Sequence, residues 1–409
     1  MLPNLTKIVL LTSGQPTLNP RLVKEADALT SAGYDVTVIY QFWNEWASQY
    51  DKNLLARKKW KAIMVGGSPR KNRLIFWQTR IIHKIFRTLN KYIATDLFPE
   101  LSIGRCTYQL YKKALSVKAD IYIAHNLPAL PVAFRAAKKI NAKCGFDAED
   151  FHRFENSDDI NHPMVKLNSL IEEKYMPLVN YITAASPLIK KAYQNIFNRQ
   201  ITTILNVMEN NDETIKKTNH DRNLRLFWFS QTIGENRGLE NVISAINQSV
   251  YKYELHLLGE ISQNYRLELL NLIDETNGSI IHFHNPIDQD EIISFASDFD
   301  IGLASEPGFS TNNNFALSNK IFTYIQAKLT VVASNTPAQS LFLNQNDKIG
   351  KIYDSNDLKS LVQILDFYQC NRGELDTSKI KLSELATEAF NWAIESKKFL
   401  SIINTVLNH

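Results

Sequence analysis

The chain has 409 residues, 44% of them apolar, and a formal net charge of +4. That length exceeds what one hydrophobic core usually serves, so two domains of roughly 150 to 200 residues each are expected. Cys106, Cys144 and Cys370 are scattered without any CxxC spacing, which argues against a disulfide framework or a zinc site and fits a reducing cytoplasm; no apolar run approaches the ~20 residues of a spanning helix.

The opening "MLPNLTKIVLLTSG" reads as a buried strand, "KIVLLTS", rather than a signal peptide. Its apolar run is short, little positive charge precedes it, and it ends in a Gly turn. In "NPRLVKEADALTSAG", Asn19 is the expected N-cap, Pro20 the first helical residue and Gly33 the stop; "YDVTVIY" is the next strand. From Lys52 to Lys91 every charged side chain is basic, a segment suited to an anionic partner. Strand and helix signals then alternate: "ADIYIAH" before a helix from Pro131, "AKCGFDAED", and "NYITAAS" before a helix from Pro187 capped by Ser186. Such alternation predicts a parallel, doubly wound sheet.

A polar stretch from Asn206 to Asn223 breaks the rhythm and is the expected linker. The pattern restarts with strand "LRLFWFS", helix "GLENVISAIN", strands "YELHLLG" and "SIIHFHN", helix "QDEIISFAS", strand "DIGLAS", a polar loop into "SNKIFTYIQ", and strand "LTVVAS". The last segment, "SELATEAFNWAIESKKFLSIIN", has apolar positions at helical spacing with Ser383 as its expected cap, and a terminal helix of this kind can cross back to the first domain. Two doubly wound, Rossmann-like parallel-sheet domains in tandem are the expected α/β architecture.

In open parallel sheets ligands collect at the carboxyl ends of strands, where helix N-termini aim N–H groups at anions. The polar oddities of this chain fall there. Gly14, after the first strand, would let backbone approach a ligand closely, although an ordinary turn explains it equally well. His125 ends "DIYIA" and is either a structural hydrogen bonder or a catalytic group. "FDAEDFHRFE" brings Asp147, Glu149, Asp150, His152 and Glu155 just beyond a strand, for acid/base work or for sugar hydroxyls, against the alternative of a capped helix start with solvated charge. In the second domain Ser230, Gln231, Gly234 and Arg237 occupy a strand-to-helix loop, where an arginine fork beside a helix dipole suits a diphosphate. Asn319 and Lys320 stand in the first turn of another helix, where a lysine opposes the dipole unless an anion accompanies it. Two anion sites in one domain suggest a nucleotide with two phosphates.

"RLIFWQTRIIHKIFRTLNKYI" carries Leu74, Trp77, Ile81, Ile82, Ile85, Leu89 and Tyr92 at helical spacing beside a second stripe of Arg73, Arg80, Lys84, Arg87 and Lys91. The pattern is that of a helix lying in a membrane interface, each basic residue worth about 1 kcal/mol near anionic lipid; the alternative packs the apolar face on the sheet. No nucleic-acid motif accompanies the charge.

Together these residues resemble the GT-B-fold glycosyltransferases, specifically the retaining family four (group 1) enzymes. "PRLVKEADALTSAGYDVTVI", "AHNLPALPVAFRAAKK", "FDAEDFH", "SQTIGENRGLE", "LHLLGE" and "LSNKIFTYIQAKLTVVAS" occur in the order that family uses. The resemblance implies two domains facing a cleft. In it His125 matches the histidine near the transferred sugar and Glu306 an acidic residue near the donor sugar, as catalytic candidates. Gly14, Gln231, Arg237, Asn319, Lys320 and Thr323 match donor-binding positions. No metal and no resident cofactor is implied; the donor is a UDP- or GDP-linked sugar. The chain departs from the pattern where relatives have "GR" and it has Ser230-Gln231. Thr323 stands where they place a ribose-binding Glu, Lys328 where they place a helix-ending Gly, and Thr330 where they place Pro. A lysine in a left-handed cap costs ~1 kcal/mol, so the helix is expected to end differently.

The expected boundaries are 1–207 for an acceptor-side domain with a basic amphipathic insertion at 52–95, 208–383 for the nucleotide-sugar domain, and 384–409 for a helix returning to the first. The expected function is transfer of a sugar to a glycan or lipid-linked glycan acceptor in bacterial surface polysaccharide or glycoconjugate synthesis. The enzyme would be cytoplasmic and peripheral on the inner face of the membrane, held to anionic lipid through 57–93, with no nucleic-acid partner. Two alternatives stand beside it: a catalytically degenerate GT-B-like binding or scaffold subunit, motivated by Gln231 and Thr323, and a sugar-nucleotide epimerase on the same fold.

Overall fold

The structure is a computed structural model that describes residues 5–92, 98–210, 222–274, 276 and 278–408. The chain forms two compact units: Met1–Leu205 with Ser310–Asn312 and Ser396–His409, and Asn206–Phe309 with Asn313–Glu395. Most of the polar stretch expected as a linker, residues 211–221, and the end of the basic segment, 93–97, lie outside the described residues.

The first unit holds a seven-stranded sheet in the order β3-β2-β1-β4-β5-β6-β7. Its strands are β1 (Lys7–Thr12), β2 (Asp35–Gln41), β3 (Lys61–Val65), β4 (Ile121–His125), β5 (Lys143–Ala148), β6 (Tyr181–Ala184) and β7 (Thr202–Thr203). Every pairing is parallel. β1 and β4 are apolar and buried along nearly their whole length, as strands covered by helices on both faces must be. The expected first helix forms at Pro20–Ser31, with Pro20 at its start and Asn19 Oδ1 accepting from Leu22 N at 3.0 Å. Ser186 caps the helix Pro187–Phe197 through Ile189 N at 3.1 Å. The basic stretch contributes β3 at the sheet edge and the helix Arg73–Tyr92.

The second unit repeats the plan with six parallel strands in the order β10-β9-β8-β11-β12-β13. They are β8 (Leu224–Ile233), β9 (Tyr253–Ile261), β10 (Ile280–His284), β11 (Ile301–Ala304), β12 (Thr330–Ser334) and β13 (Gly350–Tyr353). β8 runs longer than "LRLFWFS" predicted and takes in Gln231, Thr232 and Ile233, with a register shift against β9 between Phe229 and Thr232. Gly259 on β9 makes room for this irregularity: at φ 151°, a Cβ there would sit 2.3 Å from the Ser230 carbonyl oxygen.

Two expectations about helix ends are corrected. Ser383 caps nothing; it lies inside a helix spanning Gly373–Glu388, and the terminal helix starts at Trp392 after a break. Lys328 was expected to force a different ending on the helix Asn319–Gln326, yet it adopts the left-handed conformation at φ 55°. Leu329 N closes on Tyr324 O at 2.9 Å there, the usual terminating bond in the place where glycine is the common residue. Among the described residues no helix is long and apolar enough to cross a membrane.

Candidate functional site

In the first unit the carboxyl ends of β1, β4 and β5 meet over a buried ion network. His125, the last residue of β4, is 0% exposed. Its Nε2 lies 3.2 Å from Glu25 Oε2, and its Nδ1 lies 3.0 Å from Glu149 Oε1 and 3.5 Å from Asp147 Oδ2. Arg21 grips Asp147 with two parallel bonds, Nε to Oδ2 at 2.5 Å and Nη2 to Oδ1 at 2.7 Å, while Thr183 Oγ1 donates to Oδ1 at 2.6 Å. Burial disfavours a charged imidazole here, but Glu25 and Glu149, with Asp147 behind them, push His125 up to about 10. These neighbours favour the charged imidazole, with Glu149 and Asp147 on its Nδ1 side; Glu25, facing Nε2, is itself pushed up by burial and by the Asp147 charge.

That arrangement makes Glu149 the outward end of the network. Its Oε1 accepts from His125 and from Asn19 Nδ2 at 2.6 Å, and its side chain keeps 21% exposure. No hydrogen bond reaches Oε2 among the described residues. Sequence reasoning singled out His125 and named Glu149 only within a run of acids. The i,i+4 spacing of Arg21 and Glu25 on an otherwise apolar helix face was the available signal for the network.

Beside it, Asn126 holds φ 64° and ψ 154°, a conformation costly for any residue but glycine. Its side chain accounts for the strain: Oδ1 accepts from Ser13 Oγ at 2.8 Å and Nδ2 donates to Thr12 Oγ1 at 2.9 Å, clamping the turn that carries Gly14. A side chain at position 14 would meet only Thr12 Oγ1, 3.7 Å away, so the protein's own packing leaves the space over Gly14 open.

In the second unit the equivalent strand ends gather Arg237, Glu306, Ser318 and Lys320. Glu306 follows β11, its N–H donating to Ser334 Oγ at 2.9 Å. Its Oε1 accepts from Lys320 Nζ at 2.8 Å and from Ser318 Oγ at 3.0 Å. Ser318 is the N-cap residue of the helix Asn319–Gln326, but its hydroxyl serves Glu306 rather than the helix. Burial opposes ionisation of Glu306, yet Lys320, Ser318 and the nearby Arg237 charge outweigh it and hold the carboxyl below its usual range. The anion that the lysine called for is thus supplied within the chain. Lys320 Nζ also lies 5.1 Å from the centre of the Trp228 ring, which fixes its direction.

Arg237 is exposed two residues before the helix Leu239–Gln248, its backbone held by Ser305 Oγ, which donates to Arg237 O at 3.0 Å. Asn319 is exposed in the first helical turn. Gln231 is exposed on the irregular end of β8. Thr323 is only 1% exposed, and its Oγ1 donates back to Asn319 O at 3.4 Å within its own helix. So Glu306 and Lys320 are in contact, with the Arg237 charge acting on Glu306, Asn319 and Gln231 are open to solvent, and Thr323 is turned inward. The sequence marked Ser318 as the helix start; its bond to Glu306 is what the structure adds.

No family model and no curated protein matches the chain. Solved structures do. HepE of Anabaena in complex with UDP and glucose aligns over 98% of this chain and 100% of its own at a TM-score of 0.71 and 14% identity. Sucrose-phosphate synthase of Thermosynechococcus elongatus aligns over 98% and 99% at 0.70 and 12%. A TarM variant of S. aureus in complex with Fondaparinux, alpha-GlcNAc-glycerol and UDP aligns over 98% and 100% at 0.63 and 14%. The chain has the fold of these GT-B glycosyltransferases, with both Rossmann-like sheets in place.

Proposed function

We propose that the chain transfers a sugar from a nucleoside diphosphate sugar, UDP-linked in the first instance, to a lipid-linked glycan in bacterial surface polysaccharide or glycoconjugate synthesis, with retention of configuration. The observation that carries this reading is the cation pair Lys320 and Arg237 at the carboxyl ends of the second sheet, one of them in the first turn of a helix. HepE and TarM, which share the fold, hold UDP.

On this reading Glu306 keeps the Lys320 ammonium aimed until a diphosphate arrives and shares it. Arg237 and the free N–H groups of the helix start then meet the charge that grows on the leaving diphosphate, where preorganised donors are most effective. Asn319 and Gln231 supply neutral donors at the same edge, and Gly14 leaves room for a ligand at the first sheet. His125 acts as a positioning residue: it holds Glu149, whose open oxygen binds a sugar hydroxyl. Two cations and a helix terminus are sufficient charge for a metal-independent reaction, so adding Mg²⁺ or Mn²⁺ should not raise turnover.

The helix Arg73–Tyr92 supplies the membrane part of the proposal. Only Phe76, Thr79 and Asn90 of its length are buried. Six of the seven apolar residues on its predicted stripe are exposed, Leu74 at 87% and Trp77 at 54%, next to five basic side chains. An anionic bilayer on the inner face of the membrane matches both stripes.

A second reading, a GT-B-like subunit that binds without catalysis, is favoured by Thr323, which is turned away from where a ribose-binding carboxylate would act. Calorimetric titration with UDP and GDP, followed by product analysis from UDP-sugars with and without a glycan acceptor, tests both. Binding and acceptor-dependent transfer support the enzyme, binding without transfer supports the binding subunit, and no binding of either nucleotide or of their sugars sinks the enzyme and favours a scaffold.

A further inference from the structure

A group of ligand-type side chains lies on the second sheet away from the phosphate-facing loops. The parallel register sets His282 beside His256 and Ile280 beside Glu254. Strand alternation then puts Glu254, His256, His282 and His284 on one face, while Leu255, Leu257 and Ile281 point into the core on the other. The His256 and His282 rings stack 4.4 Å apart at 12°, and His284 lies 5.2 Å from His256. Glu254 is the second residue of β9, so the group sits toward the opposite end of the strands from Glu306 and Lys320.

The protein does not satisfy these groups by itself. Arg225 Nε, which can only donate, faces His256 Nε2 at 3.4 Å, so that nitrogen carries the lone pair and Nδ1 carries the proton shared with His284 Nε2 at 3.0 Å. Glu254 Oε2 faces the same Nε2 at 3.5 Å, one acceptor against another with no proton to place between them. Arg225 bridges them only loosely: its Nε is 3.7 Å from Glu254, its Nη1 donates to Asp298 O at 3.0 Å, and its guanidinium is stacked on Phe299 at 4.6 Å. The His282 side chain makes no hydrogen bond among the described residues.

One coordinating atom from each of Glu254, His256 and His282 lies within 4.8 Å of the others. Imidazole nitrogen and carboxylate oxygen hold zinc at about 2.0–2.2 Å with the ion in the plane of each ring, so closing the set takes shifts of about 1 Å and a side-chain rotation that opens the His256–His282 stack. The one other grouping of this kind among the described residues, Glu25, His125 and Asp147, already holds the Arg21 guanidinium. We propose that Glu254, His256 and His282 bind one divalent ion of the zinc class, with water completing the tetrahedron. The ion replaces the long Arg225 contact, leaves Arg225 on Asp298 and Phe299, and ties β10, the edge strand of its sheet, to β9. This site is independent of the sugar-transfer reading.

The test uses the full chain without a histidine tag, stripped of metal. Zinc affinity is measured by competition with a chromophoric chelator, and thermal unfolding is followed with and without zinc. The expected result is one zinc per chain and a Tm that rises with zinc. His282→Ala and Glu254→Gln should each weaken binding at least about tenfold while melting near the wild type in the absence of metal. No stoichiometric binding, or binding that persists unchanged in both variants, overturns the proposal.

Discussion

Lys320 Nζ donates to Glu306 Oε1 at 2.8 Å, joining the first turn of one helix to the loop that follows β11. The pair is only about one-eighth exposed on either side, so each charge depends on the other, and this interdependence makes the site easy to probe.

Lys320→Ala and Arg237→Ala should each weaken UDP binding by roughly 10- to 100-fold, the loss expected when a charge-assisted hydrogen bond to phosphate is removed. Arg237→Ala leaves the fold untouched because the side chain is exposed. Lys320→Ala also strands Glu306, so Lys320→Ala with Glu306→Gln should regain stability without regaining UDP affinity. Calorimetry and thermal unfolding on the three variants check this, and undiminished UDP binding in all of them would sink the donor-site assignment.

His125 gives a pH signature. Its folded value, about 10, lies above the ordinary imidazole value of 6.5, so its contribution to stability is complete below about pH 6.5 and is lost as pH rises toward 10. Unfolding by urea from pH 7 to 10 should show declining stability, and His125→Gln should flatten that decline. The same variant should be less stable than wild type at pH 7 by about 3–5 kcal/mol, since it removes one partner of a buried ion set.

Glu149→Gln separates positioning from contact. Its side chain is partly exposed while His125 is enclosed, so Glu149→Gln should lower kcat with little change in Tm. An equal loss of Tm and activity would mark Glu149 as structural.

The helix Arg73–Tyr92 should bind vesicles containing phosphatidylglycerol but not neutral ones, and binding should fall as salt rises through the range where the Debye length shortens. Trp77→Glu should reduce sedimentation with vesicles several-fold while leaving UDP affinity unchanged, because Trp77 is solvent-exposed. Vesicle binding that ignores both lipid charge and Trp77 would rule out the interface.

Lys328 carries a left-handed φ of 55°, which costs a non-glycine residue about 1–2 kcal/mol. Lys328→Gly should raise Tm by a few degrees, whereas Lys328→Ala, which keeps the strain, should not. Chemical and thermal unfolding of the two variants decides it.

Much of this protein was legible in its sequence. Alternating strand and helix signals, Asn19 and Ser186 as caps, and the restart of the pattern after the polar stretch all follow from interactions within a few residues, which local spacing records directly. The helix start at Ser318 and its lysine were legible for the same reason. The partners of the charges were not. Arg21 and Asp147 are 126 positions apart and Asn19 and Glu149 are 130, and only strand order brings them to one edge. That is why His125 could be read as either a structural hydrogen bonder or a catalytic group until its enclosure was seen, and why Lys320 read as needing a ligand's anion when Glu306 provides one. The exposed stripe of Arg73–Tyr92 was written in the sequence as a pattern, but which face turns to solvent was decided by how Phe76, Thr79 and Asn90 pack. Periodicity determines what a segment can bury; only the folded neighbours determine what it does bury, because burial and charge pairing are properties of contacts that the chain makes after it has folded.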